Sequence, residues 1–256
     1  MIMNSENYIK KLIEEDLRID KRAFDEFRKI DIKVNEITSA EGSARVRIGN
    51  THILAGIKMA VGTPFPDTPA EGILIVNAEF APIASPTFEP GPPSESSIEM
   101  ARVIDRGIRE SHCIDLDKLC IIEKEKVWII NVDIHVLDHD GNLIDAGGLA
   151  AIIALLNTQI PKYENEKIDY KQHSGKLPVV DIPVPITIYK IANKLLVDTN
   201  VEEENALDAR ITICTNKAGN ICAMQKGGVG HLTTEELEKA VDLSIKKGNE
   251  IRSLIK

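Results

Sequence analysis

The run Gly147-Gly148-Leu149-Ala150-Ala151-Ile152-Ile153-Ala154-Leu155-Leu156 carries no polar side chain. From Ala150 to Leu156 it reads as a helix entered from a glycine-rich bend. A helix with no polar face has to be covered on every side. It is too short to cross a bilayer, and nowhere do eighteen or more apolar residues follow one another. The cover must come from the rest of the chain. With 256 residues, 43% of them apolar, the chain can bury a core of that size as one large domain or two intimately packed halves.

Periodicity says what the cover is made of. Within residues 5–28, Ile9, Leu12, Ile13 and Leu17 recur at helical spacing until Arg18-Ile19-Asp20-Lys21-Arg22 interrupts them. Ile30, Ile32 and Val34 alternate, and Ser43 to Ile48 and Thr51 to Val61 form the arms of a hairpin turning at Gly49-Asn50. The proline-rich stretches Thr63 to Pro69 and Pro82 to Pro93 predict loops, with a strand from Gly72 to Phe80 between them. Ser94 or Ser96 can cap a helix whose Ala101, Ile104 and Ile108 share one face. Lys118 to Ile122 and Lys126 to Leu137 read as strands, and Asp138-His139-Asp140-Gly141-Asn142 as a hairpin turn. Pro161 to Gly175 reads as polar loop.

Beyond it, Val184 to Ile191 with Lys194 to Asp198, and Asp208 to Thr215 with Asn220 to Gln225, predict two more hairpins. Thr233 and Glu236 make a capping box for a last helix. Strands, helix, strands, helix, then strands and helix again predict an α+β fold with antiparallel or mixed sheets backed by helices, not a doubly wound parallel sheet. The expected division is residues 1–180 and 181–256, packed as one structural unit.

Lys and Arg number 31 against 40 Asp and Glu, a net charge of −9, so most of the surface repels a polyanion. Any nucleic-acid contact must be a local basic patch. Arg102, Arg106 and Arg109 fall at i, i+4 and i+7, where guanidinium forks can hold successive phosphates. The plain alternative is a solvated face paired with Glu99, Asp105 and Glu110. Arg45, Arg47 and Lys58 on the first hairpin carry the same two readings. Asp198, Glu202, Glu203, Glu204 and Asp208 form either an acidic turn or a group able to hold a divalent ion or move protons. No HxH, HExxH, GxSxG, GxGxxG or GxxxxGKS spacing occurs, and no cofactor or metal site is expected. Cys113, Cys120, Cys214 and Cys222 lack CxxC spacing and sit in or beside apolar runs, which suits buried thiols in a reducing, cytoplasmic compartment. The charged N-terminus lacks an apolar secretion segment.

Several of these segments, in order and along essentially the whole chain, resemble the RNase PH family. Within it they look like the non-catalytic RNase PH-like subunits of the archaeal exosome. Arg18-Ile19-Asp20-Lys21-Arg22 is similar to the family's Arg-x-Asp-Gly-Arg segment, with Lys21 where glycine is usual. Glu41 to Thr51 resembles its first hairpin, Glu99 to Arg109 its arginine-bearing helix, Asp133 to Gly148 the strand and glycine-rich bend, and Ile221 to Gly228 the C-terminal strand and turn.

The resemblance implies an RNase PH-like fold of the ribosomal protein S5 domain 2-like kind, and a place in phosphorolytic 3′-to-5′ RNA decay. Active members cradle inorganic phosphate with Thr-Arg or Ser-Arg, which match Gly148 and Leu149 here. Their paired aspartates match Glu204 and Asp208. The cradle is therefore degenerate and no catalytic residue is expected. The implied partners are a catalytic RNase PH-like subunit, paired with this one in three copies as a six-membered ring, RNA-binding cap subunits and single-stranded RNA, with no membrane and no DNA. Arg102, Arg106, Arg109, Arg45 and Arg47 are the implied RNA-binding residues. Two other readings stay open: an autonomous phosphorolytic exoribonuclease, and an oligomeric metabolic enzyme or scaffold unrelated to RNA.

Overall fold

The structure, a computed structural model, describes the backbone of residues 2–255 and the side chains of residues 6–255. The first sheet is built from β1 (Ile30–Val34), β2 (Gly42–Ile48), β3 (Thr51–Gly62), β4 (Ile73–Phe80), β5 (Cys120–Ile122) and β6 (Lys126–Asp138). Its order is β1-β2-β3-β6-β4, with β5 also paired to β6. β4 runs parallel to β6 and the other pairs are antiparallel. The second sheet has the order β10-β9-β11-β12, all antiparallel, from β9 (Val184–Ile191), β10 (Lys194–Val197), β11 (Ala209–Thr215) and β12 (Ile221–Gly227).

Between the sheets lie α2 (Glu95–Glu110) and α3 (Leu143–Leu156). α3 packs against β2 and β3 on one side and β9 on the other, which is the all-round cover its sequence demands. Every residue from Ile144 to Leu155 is buried. β9 is buried at all eight positions because α3 covers one face and α5 (Thr234–Arg252) the other. Pro185, Thr187 and Tyr189 face α3, and Lys190 reaches Glu236 at the start of α5 (2.8 Å). The layers are thus sheet, helices, sheet, helix. α1 (Ile2–Glu14) closes the outer end of the second sheet, where Ile9 and Ile13 pack with Ile191 and Leu196. The short α4 (Val201–Asn205) follows β10.

Four expectations are corrected. Asp138 to Asn142 is not a hairpin turn: it carries β6 directly into α3, which begins at Leu143 rather than Ala150. Gly147 and Gly148 therefore stand inside the helix. A Cβ on Gly147 would overlap Met100 of α2, and one on Gly148 would overlap the Pro185 ring, so they serve close packing, not bending. Pro161 to Gly175 is not loop but most of an antiparallel hairpin, β7 (Gln159–Glu164) with β8 (Lys167–Lys176). Its polar strands hide its pattern, since β8 has only Ile168 partly buried. The first part of the strand expected over Lys118 to Ile122 is a 3₁₀ turn, Leu116–Leu119.

Candidate nucleic-acid interface

α2 is capped by Ser94, whose side chain accepts from the Ser97 N–H (3.2 Å). It buries Met100, Ala101, Val103, Ile104 and Ile108 against β4, α3 and the second sheet. Helical spacing then fixes what faces outward. Arg102 and Arg106 are exposed, one turn apart, and make no ion pair or hydrogen bond to any described residue. Arg109 is different. Its guanidinium pairs with Asp105 (2.7 Å) and donates to the Leu74 carbonyl (3.0 Å), so it is committed within the protein.

Arg45 and Arg47 lie elsewhere. Their β2 neighbours Ala44, Val46 and Ile48 point at α3, so alternation sends the two arginines to the opposite face of the first sheet. Arg45 stands 3.4 Å from Glu36, and Arg47 is hydrogen-bonded to the His52 ring across the hairpin (3.4 Å). The five predicted arginines are therefore not one surface. Two are unpaired on α2, and two are on the far side of a sheet.

The positions matched to the phosphate cradle are filled with protein. Leu149 is 1% exposed and belongs to the main core. Gly148 borders an apolar crevice lined by Val103, Ile104, Pro183, Pro185 and Cys214, with a cavity volume of about 10 Å³. That is the room of at most one water. The start of α3, a natural anion site, already carries a carboxylate of the chain itself. The Asn142 N–H donates to Glu204 Oε1 (2.7 Å), and the Tyr189 hydroxyl donates to the same atom (2.8 Å). Burial pushes the Glu204 carboxyl above its usual range, and these donors pull the other way.

Asp208, Asp198 and Glu203 are also occupied, while Glu202 is exposed. Asp208 pairs with Lys10 of α1 (2.7 Å) and accepts from the Ala192 N–H (2.9 Å), so Glu204 and Asp208 serve different partners. Asp198, fully buried, accepts from Arg22 (3.1 Å), from the Arg28 backbone (2.7 Å) and side chain (2.7 and 2.9 Å), and from Asn142 Nδ2 (2.9 Å). Glu203 and Arg18, both fully covered, form a two-point pair at 2.6 and 2.9 Å. This network ties residues 18–28 to the second sheet. The sequence reading missed it, since Arg18, Arg22 and Arg28 are separated from their acidic partners by 185, 176 and 170 residues. Lys21 sits at φ +65°, which explains why glycine is usual in that segment. Among the described residues no group of His, Cys, Asp and Glu is placed to hold a metal ion. No described helix is long and apolar enough to cross a membrane.

Two family models match the chain. Domain 1 of the 3′ exoribonuclease family, RNase PH, matches residues 26–161, and domain 2 matches residues 181–247. The chain is 52% identical to the exosome complex component Rrp42 of Archaeoglobus fulgidus over 98% of its own length and 95% of that protein's. It is 48% identical to the same component of Thermococcus kodakarensis, over 97% and 93%. A chain from a solved structure described as the Archaeoglobus fulgidus exosome with RNA bound to the active site superposes with a TM-score of 0.94 at 49% identity, covering 100% of this chain and 99% of that one. On matches that span both sheets, this chain belongs to the RNase PH family of 3′ exoribonucleases.

Proposed function

We propose that this chain is the non-catalytic RNase PH-like subunit of an archaeal exosome ring. It binds single-stranded RNA and completes the active site of a catalytic RNase PH-like partner, which degrades the RNA from its 3′ end by phosphorolysis. The observation that carries this reading is the contrast between two neighbouring features. Arg102 and Arg106 stand exposed without partners among the described residues, while the Gly148 and Leu149 positions are sealed in the core. Substrate-gripping groups are thus kept where phosphate-activating ones are lost. The relatives named above are exosome components, and one of the matched structures is described as holding RNA at its active site.

Inorganic phosphate is handled by the partner's site, and this chain needs no cofactor of its own. The assembly is a ring of three such heterodimers with RNA-binding cap subunits on one face. Its compartment is the cytoplasm, in keeping with four free cysteines. Against autonomous catalysis stands the engagement of Glu204 and Asp208 with separate protein groups.

The test uses the purified chain, the purified catalytic partner, and the two reconstituted, each given RNA and phosphate. Nucleoside diphosphates should appear with the reconstituted ring and not with this chain alone. Release by the chain alone would overturn the assignment. Alanine at Arg102 and Arg106 together should weaken RNA binding by the intact ring, and unchanged affinity would remove these residues from the interface.

A further inference from the structure

Arg102 has a carboxylate one helical turn on either side, Glu99 at i−3 and Asp105 at i+3. Either could pair with it across the helix surface, since residues three and four apart are neighbours there. Neither does. Glu99 is held by Arg210 of β11 at 2.6 Å, and Asp105 by Arg109 at 2.7 Å. Arg210 is anchored beneath Gly227 of β12, where a Cβ would meet its guanidinium, and Arg109 by its bond to the Leu74 carbonyl (3.0 Å). Each of the two acids is thus claimed by an arginine that has a second fixed contact, while Arg102 has none.

We propose that Arg210 and Arg109 are positioning residues: they sequester the two acids flanking Arg102 and so keep its guanidinium available for a phosphate of the RNA backbone. This rests on the RNA-binding reading of α2 and adds a mechanism to it. Four arginines share the work unequally. Arg102 and Arg106 present charge, and Arg109 and Arg210 remove competitors. The arrangement also answers how an acidic chain presents a usable cation on a helix that carries acids of its own. An unsequestered Glu99 would have to be displaced before Arg102 could take a phosphate, and that displacement would subtract from affinity. Glu110, at i+4 from Arg106, makes no ion pair among the described residues.

The experiment is a double-mutant cycle on the reconstituted ring, with a labelled single-stranded oligoadenylate as probe. Arg210→Met should weaken binding by about threefold to fivefold, the scale of one exposed ion pair. Adding Glu99→Gln to Arg210→Met removes the liberated competitor and should restore affinity. Glu99→Gln alone, the fourth corner of the cycle, should leave affinity near the parent's, so that restoration in the double variant reports the coupling of Arg210 to Glu99 and not the loss of an acid in itself. Unchanged affinity in Arg210→Met, or a double variant as weak as the single, would overturn the proposal.

A second readout is independent of RNA. An arginine-directed dicarbonyl reagent should modify Arg102 more slowly in Arg210→Met than in the parent, and again at the parent rate in the double variant. Equal rates in all three would overturn sequestration. If the rates change as expected but Arg102→Ala leaves RNA affinity intact, the RNA-binding reading of α2 fails and the sequestration stands.

Discussion

At the scale of single residues, the proposed loss of the phosphate cradle rests on packing more than on a pair of substitutions. Gly148 usually looks replaceable, because glycine inside a helix costs about 1 kcal/mol relative to alanine. Here the Pro185 ring occupies the space a Cβ would need. Gly148→Ser should therefore destabilise the chain by about 1–3 kcal/mol, the cost of overpacking. Leu149→Arg places an unpaired charge at a 1% exposed core position, at a cost of several kcal/mol. Neither change, nor the two combined, should give nucleoside diphosphate release by the isolated chain, and thermal unfolding should show both losses. Gain of activity with stability intact would mean that the cradle is open after all.

Asp145 offers a pH test at the same scale. Burial pushes its carboxyl up to about 7, against donation from the Thr187 hydroxyl (2.7 Å) and backbone (3.1 Å). The folded chain thus holds a proton that the unfolded chain releases near pH 4. Its contribution to stability is fully present below that value and is lost as pH rises towards 7. The span of about 3 pH units corresponds to an upper bound of about 4 kcal/mol. Asp145→Asn keeps the shape, since an amide can accept from the Thr187 N–H and donate to its hydroxyl, which bonds on to Thr212 (2.9 Å). Denaturant unfolding of this variant between pH 4 and 7 should show a flatter pH profile than the parent; an identical slope would remove Asp145 as its source.

At the scale of elements, the acidic turn matters for joining parts of the chain. Asp198 collects Arg22, Arg28 and Asn142, so residues 18–28, the start of α3 and the end of β10 meet at one carboxylate. Asp198→Ala would leave these donors in a covered site, at a cost of about 3–5 kcal/mol. The expected readout is a lower unfolding midpoint together with faster proteolysis between residues 15 and 29. Normal protection of that segment would show that the network is dispensable.

The same elements show what periodicity can and cannot reveal. Strands β1 to β4 and β9 to β12 were legible because one face alternates or a turn brackets the run, as at Ala192-Asn193, both at positive φ. α2 and α5 announced themselves through Ser94, Thr233 and Glu236. The start of α3 did not. Asp138 to Asn142 satisfies a local hairpin template, while the contacts that hold its end, such as Glu204 at the Asn142 N–H, are distant in sequence. β7 and β8 escaped for the opposite reason. Their burial is confined to a few contacts, such as Tyr163 edge-on to Trp128 and Lys58 over the Tyr170 ring, so no alternating apolar face is written into them. The arginine stripe was visible at α2, but its division into presenting and sequestering members depends on β4 and β11, which spacing along one helix cannot show.

At the scale of the whole molecule, a net charge of −9 and an RNA-binding role are reconciled only if attraction is local. A diffuse basic surface would lose affinity gradually with each charge removed. Two unpaired arginines set on one face should behave as discrete phosphate contacts. For single strands, the slope of log affinity against log salt is about −0.7 per phosphate neutralised. Removing both Arg102 and Arg106 from the reconstituted ring should therefore make that slope shallower by about 1.4 if each holds one phosphate. Removing Arg45 and Arg47, which face the other side of the first sheet, tests the alternative that RNA follows that surface. If the β2 pair changes the slope and the α2 pair leaves it untouched, the interface lies on the far face of the sheet. If only the α2 pair changes it, a repulsive exterior is compatible with binding because the ring needs two well-placed cations from this chain and no general positive field.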